Sequence, residues 1–282
     1  MAHEKLKDEY AMDLLLFPKR PGIREIHDRP WCPALLRDTM TECLSLIWLS
    51  GMYIPALKLL GERLRSEGGT RIVDLCSGAG LFLPGFRKYL CKVIPSGVEI
   101  RKTDLYPDPA YFAHDTDHVK YIPRPLSAAR ALREEEGVFT MFSALHHFDP
   151  PELTEILRVA AEHQRTFFFF DICQRRIFSD ILPCLFLPLV MWLLTPFIRP
   201  FSWKRLLFVY GIPVSPLLLM TDGFLSRMRA YTQPELEKVL ADVRMDFPHF
   251  RFRTEVLPSF FGFQKITVLS GCPETAEETR SE

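Results

Sequence analysis

Between Trp31 and Arg65 the apolar positions recur every three or four residues: Leu35, Leu36, Met40, Cys43, Leu44, Ile47 and Trp48, then Ala56, Leu57, Leu59, Leu60 and Leu64. This is the spacing of one helical face. Gly51 and Pro55 divide the stretch into two helices, and the Ser66–Gly69 turn ends the pair. Beyond it the pattern changes to short apolar runs, at Arg71–Leu75, Val98–Thr103, Val138–Phe142 and Thr166–Asp171, each read as a buried strand. Tyr121–Leu126 is a weaker strand, and its prolines count against a central place in a sheet. Helices are predicted over Leu81–Leu90, from Asp149-Pro-Pro-Glu152 to His163, and from Thr232-Gln-Pro-Glu235 to Val243. The last two open with an N-cap residue and a glutamate three positions on. Phe250–Val256 and Phe263–Leu269 are expected to pair antiparallel.

Strands alternating with helices imply parallel βαβ units and right-handed crossovers, hence an α/β fold with a doubly wound, mostly parallel sheet. Five segments follow: an N-terminal helical cap over 1–68, a first part of the core over 69–176, an apolar insertion over 177–221, a second part of the core over 222–271, and a polar tail over 272–282. Residues 1–30 are polar and are expected to wrap the surface.

Between the first strand and the helix after it lies Asp74-Leu75-Cys76-Ser77-Gly78-Ala79-Gly80. A nucleotide-like ligand at such a turn needs close approach of backbone, which Gly78 and Gly80 permit, and meets the unpaired N–H groups of the helix start. Asp74 can hold the loop or a ligand ammonium. Asp104, ending the second strand, stands where an acid takes both ribose hydroxyls.

These residues resemble the class I S-adenosylmethionine-dependent methyltransferase family, whose first motif runs Val-Leu-Asp-Leu-Gly-Cys-Gly-Thr-Gly. Here Ile72-Val73-Asp74-Leu75-Cys76-Ser77-Gly78-Ala79-Gly80 keeps the aspartate and the last two glycines, with Cys76 in place of the first. Thr103-Asp104-Leu105-Tyr106-Pro107 matches the family's ribose-binding acid, and Ser143-Ala144-Leu145-His146-His147-Phe148 its segment near the sulfonium. The resemblance implies a Rossmann-like methyltransferase core, S-adenosylmethionine as cofactor, and a cofactor site of Asp74, Cys76, Ser77, Gly78, Gly80, Asp104, Leu105, Ser143 and Ala144. Ser127 stands where a third-strand acid would meet the adenine. His146 and His147 are the candidates for a catalytic role, beside a packing or backbone-capping one. Transfer from a sulfonium works by alignment and desolvation and needs no conspicuous acid–base dyad. An NAD(P)-dependent oxidoreductase shares the architecture, but Leu83 occupies the place of its third glycine. A non-catalytic, membrane-attached scaffold retaining the fold is the alternative from another class.

Ile181–Ile198 carries no charge, and as a helix it is roughly 27 Å long. Leu206–Thr221 is a second uncharged arm, with Arg199, Lys204, Arg205 and Trp203 between the two. A spanning hairpin, a soluble lid and an interfacial dock compete. The prolines and the basic tip favour the dock, with the cations meeting anionic headgroups. Trp31, Arg37 and Tyr53 are further acceptor contacts, against a core or surface role for each. An insertion over the substrate side suggests a small hydrophobic or lipid-like acceptor. A formal net charge of zero gives no global attraction to nucleic acid, so none is expected as a partner. The seven cysteines lie singly and form no zinc pattern, so no metal is expected. Unpaired cysteines and a charged N-terminus point to the cytoplasmic side, at the face of a membrane.

Overall fold

The computed structural model describes residues 19–49, 51–78, 97–107, 115–176, 180–198, 201–259 and 264–274. The predicted helix over Leu81–Leu90, as well as Gly80 and Arg199, lie outside these residues. Helices α1 (Ala34–Leu49) and α2 (Ile54–Glu67) stand where the periodicity places them. Pro55 sits in the first turn of α2, and Gly68 ends it at a φ of 67°.

Seven strands follow: β1 (Arg71–Leu75), β2 (Glu99–Lys102), β3 (Val119–Tyr121), β4 (Val138–Phe142), β5 (Phe167–Asp171), β6 (Phe250–Pro258) and β7 (Lys265–Pro273). They form one sheet in the order β3-β2-β1-β4-β5-β7-β6. β1 to β5 run parallel, while β7 is antiparallel to both β5 and β6. With its helices this is a Rossmann-like α/β fold with a mostly parallel sheet, as the strand–helix alternation implied. Helices α3 (Ala128–Glu134), α4 (Pro150–Glu162), α5 (Leu187–Leu194), α6 (Trp203–Leu206), α7 (Val214–Arg229) and α8 (Gln233–Asp246) complete the described elements. Both predicted capping boxes close, Asp149 with Glu152 and Thr232 with Glu235.

The central strands are covered on both faces, which is why they read as continuous apolar runs. On one face Leu132, Leu157, Leu236 and Leu240 pack on Val73, Phe139, Phe167 and Phe169. On the other, Ala56, Leu60 and Leu64 of α2 pack on Ile72, Ile100, Phe168 and Phe170. The phenylalanines of β5 thus divide alternately between two cores.

Several expectations change. The third strand lies at the sheet edge as its prolines required, but it covers Val119–Tyr121, because Pro123 and Pro125 cannot donate to β2. β7 passes the boundary set at 271, since Cys272 and Pro273 still pair with Arg251 and Phe250. The insertion does not end at 221 either: α7 carries the chain through it without a break. Nor do the first helices form one cap. α1 leaves α2 and shares a separate core with the insertion, in which Met40 and Cys43 meet Met191, Ile198, Val209, Leu218 and Leu219. Residues 19–33 are no surface wrap, because Glu25 and His27 are buried against α7 and the turn after β4.

Over 181–198 one stripe, Ile181, Cys184, Met191, Thr195 and Ile198, faces inward. Leu185, Phe186, Leu189, Trp192, Leu193 and Phe197 are all more than half exposed. No single helix among the described residues is long and apolar enough to cross a membrane, and the run Trp203–Gly211 meets α7 at 81°. Lys204 is exposed, but Arg205 is not available to a headgroup: it is buried and donates to the Ile198 carbonyl at 2.8 Å, closing the tip.

Gly271 of β7 faces two rings. A Cβ there would stand 2.5 Å from Phe167 and 2.6 Å from Phe250. Gly271→Ala is expected to destabilise the fold by ~1–3 kcal/mol through overpacking, read as a lower urea midpoint at unchanged m-value.

Candidate active site

The groups singled out in the sequence gather at the carboxyl ends of β1, β2, β4 and β5, where open α/β sheets hold their ligands. After β1 the chain bends sharply, with Cys76 at φ 54° and Gly78 at φ 54°. Asp74 ties the bend together. Its Oδ2 accepts from Ser77 Oγ at 2.6 Å and its Oδ1 from Thr140 Oγ1 of β4 at 2.8 Å. Asp104 joins this loop to the one after β2: Oδ2 accepts from the Gly78 N–H and Oδ1 from the Tyr106 N–H, both at 2.8 Å. Each Asp104 oxygen keeps lone-pair capacity for a further donor. Burial pushes Asp104 above the ordinary aspartate range, against the pull of those two N–H groups.

Leu105 is half exposed beside Asp104. Ser143 holds a left-handed φ of 52°, hydrogen-bonded through its hydroxyl to that of buried Tyr53, and Ala144 is buried behind it. Tyr53 therefore supports this turn from below. Ser127 caps α3, its Oγ accepting from the Arg130 N–H, while the neighbouring Leu126 N–H donates to the Asp104 carbonyl. Of the other suggested contacts, Trp31 is exposed, and Arg37 donates to the carbonyls of His27, Arg29 and Cys32. Burial pushes the Cys76 thiol well above its ordinary range.

Beside this loop lies a cluster that spacing did not reveal. His146 and His147 follow β4 on a short helical turn. His146 Nδ1 lies 2.7 Å from Asp171 Oδ2 at the end of β5. His147 Nδ1 is hydrogen-bonded to Asp28. His27 Nδ1 lies 2.8 Å from Asp222 Oδ2 of α7. Glu25 sits among all three rings, 3.3 Å from His146, 3.5 Å from His27 and 4.0 Å from His147. Burial alone would raise its pKa, but the charges of His147, His146 and His27 hold it well below the usual carboxylate range. The charges of Asp28 and His147 also act on Asp104, so the cluster and the glycine loop share one site.

Two arginines fix this arrangement. Buried Arg229 donates from Nε to the His146 carbonyl, and from Nη2 to the His147 carbonyl and Asp149 Oδ1, each at 3.0 Å. Its Nη1 reaches the Pro21 carbonyl at 3.2 Å. Arg20 donates to the carbonyls of His146 at 2.6 Å and Phe148 at 2.7 Å. Sequence reading missed Arg20, Glu25, His27, Asp28, Asp171, Asp222 and Arg229. The only local signal was that Asp171 ends an apolar strand.

No family model and no curated protein matches the chain. Among solved structures it is similar to an O-methyltransferase family protein from Burkholderia thailandensis (14% identity, 85% of this chain and 60% of that one, TM-score 0.49). It is similar too to the magnesium protoporphyrin IX methyltransferase of Synechocystis with bound S-adenosylhomocysteine (10%, 80% and 86%, TM-score 0.41). A third is human N-acetylserotonin methyltransferase in complex with S-adenosylmethionine (12%, 78% and 55%, TM-score 0.40). All three are methyltransferases. The chain spans 60% and 55% of the first and third.

Two outcomes follow from the loop. Cys76 occupies a φ that favours glycine, so Cys76→Gly is expected to hold or raise the melting temperature. Cys76→Val, β-branched at positive φ, should lose ~1–2 kcal/mol. Asp74, ordinarily near 3.8, is pushed up to about 6 by burial, despite the Ser77 and Thr140 hydrogen bonds and the Lys102 charge. Between about pH 4 and 6 the folded chain keeps a proton there that the unfolded chain has lost. Stability from this group therefore falls as pH rises through that window. Urea unfolding of Asp74→Asn should gain on the wild type by up to ~2–3 kcal/mol between these limits.

Proposed function

We propose that the chain is an enzyme that transfers a methyl group from S-adenosylmethionine to a hydrophobic or lipid-like acceptor at a lipid surface. The observation that carries the cofactor reading is Asp104. Its carboxylate is half-buried just past the end of β2, positioned by the Gly78 and Tyr106 N–H groups, and retains lone pairs for a ribose diol. The bend at Cys76 and Gly78 brings backbone close to the same point, as a nucleoside ligand requires. Motif order supports it further: Asp74 lies near the end of β1 and Gly78 follows it, Asp104 follows β2, and Ser143 to His147 follow β4.

The acceptor reading rests on the insertion. An all-apolar helix is ordinarily buried all round, whereas here one stripe is buried and the rest faces outward. With Phe201, Trp203, Leu207, Ile212 and Leu217 the exposed apolar residues extend across both arms, and exposed Lys204 lies among them. Contiguous apolar surface of this kind marks a partner or membrane site, and aromatic residues beside a cation suit a headgroup region. Such a dock would let a lipid-like acceptor reach the cluster beside Asp104 without crossing water.

Calorimetric titration tests the cofactor half. S-adenosylhomocysteine should bind the wild type, and Asp104→Asn should weaken it ~10–100-fold, the worth of hydrogen bonds to a charged group; binding of NADH in its place would reject the reading. For the acceptor half, vesicles containing anionic lipid should carry the protein in a flotation assay. Leu193→Ser, Phe197→Ser and Trp203→Ser together should release it without loss of fold, since all three side chains are exposed. Methyl transfer from radiolabelled cofactor into a lipid extract distinguishes an enzyme from a scaffold.

A further inference from the structure

We propose that Glu25, His146 and His147 form a binding site for one divalent first-row metal ion, zinc or manganese, beside the cofactor loop. Four overlapping groups, three of histidines and acids and one of His146, Asp171 and Cys173, bring ligand atoms within 4.8 Å of one another among the described residues. Hydrogen bonding sorts them. His27 Nδ1 is taken by Asp222, His147 Nδ1 by Asp28 and His146 Nδ1 by Asp171. Once those bonds are assigned, the Nε2 atoms remain: that of His27 lies 3.7 Å from Asp28 Oδ1, while those of His146 and His147 face Glu25, at 3.3 Å from Oε1 and 4.0 Å from Oε2.

Glu25 is the independent sign of a missing ligand. It is 2% exposed, and its Oε1 has no hydrogen-bond partner although His146 Nε2 stands 3.3 Å away. An unsatisfied carboxylate oxygen at such depth needs an explanation, and an ion supplies one. Ligands held about 2.1 Å from one ion stand about 3.0 to 3.5 Å apart at tetrahedral or octahedral angles. The Glu25–His146 separation meets this, and His147 Nε2, within 4.8 Å of the other two ligand atoms, would have to move closer on binding.

The surroundings are those of a metal site. Each ligating histidine has its other ring nitrogen on an aspartate, which orients the ring so that an ion displacing the Nε2 proton meets a lone pair there. Asp171 also accepts the His146 N–H at 3.1 Å, and Arg229 and Arg20 hold the carbonyls of the histidine turn. Two histidines and one carboxylate leave coordination positions open. His147 and Asp28 are the partly exposed members, and they lie on the side where their charge reaches Asp104. An exogenous oxygen ligand, such as a hydroxyl or carboxylate of the acceptor, fits there. Only that last assignment rests on the methyltransferase reading; the ion does not.

The test uses the full-length protein, dialysed against chelator and titrated calorimetrically with zinc chloride and with manganese chloride, the latter also followed by electron paramagnetic resonance. One equivalent of either ion should bind, and binding should be abolished in Glu25→Gln and His147→Asn. Asp28→Asn, on the outer side of His147 and facing His27 with its other oxygen, should weaken it ~10–100-fold. His147 is partly exposed, so its variant decides the matter if the Glu25 one does not fold. Absence of stoichiometric uptake, or uptake that His147→Asn leaves unchanged, overturns the proposal. S-adenosylhomocysteine titrated into the metal-free protein is the separate control: its binding upholds the cofactor reading whatever the metals do.

Discussion

The Arg229 guanidinium is the contact on which the site depends. It is buried at the end of α7, and its donors go to main-chain carbonyls from two remote parts of the chain and to Asp149, the cap of α4. A buried cation must have its donors satisfied, and carbonyl oxygens do this only if the backbone is brought to them. Arg229 therefore sets the path of residues 20–28 across the sheet end and fixes the turn that carries His146 and His147. Arg20 repeats the contact from the other side, stacked on Tyr231 with its guanidinium 4.0 Å from the ring centre.

Much of the sheet was legible because its physics is local. The central strands are apolar on both faces, so β1, β4 and β5 stand out as short unbroken runs, and the two capping boxes mark α4 and α8 where they begin. The glycine loop could be placed for the same reason, as strand end, bend and acid lie within thirty-odd residues. β3 was misplaced because Tyr121, Ile122 and Leu126 look like strand, although Pro123 and Pro125 leave no N–H there to continue the ladder.

The acid–histidine cluster was not legible, and the reason is distance along the chain. His27 meets Asp222 across 195 positions and His147 meets Asp28 across 119. No spacing rule reaches so far. Residues 19–33 are polar and read as surface, yet their polar side chains point inward because the partners waiting there are themselves charged. The left-handed Cys76 shows the opposite case. A departure from the glycine motif was visible in the sequence, and the structure adds only that the backbone kept the glycine conformation with a side chain present.

The shared core of α1 and the insertion bears on how the chain is made. Most of the apolar cover of Met40 and Cys43, from Met191 to Leu219, leaves the ribosome long after α1 does. Through much of synthesis α1 is an amphipathic helix without its main partner. The core that carries the exposed apolar arms thus closes late, though β6 and β7 must still follow to complete the two cores of the sheet. A nascent chain would present both greasy surfaces at the same late moment, which is when a chaperone or a lipid layer has most to offer it.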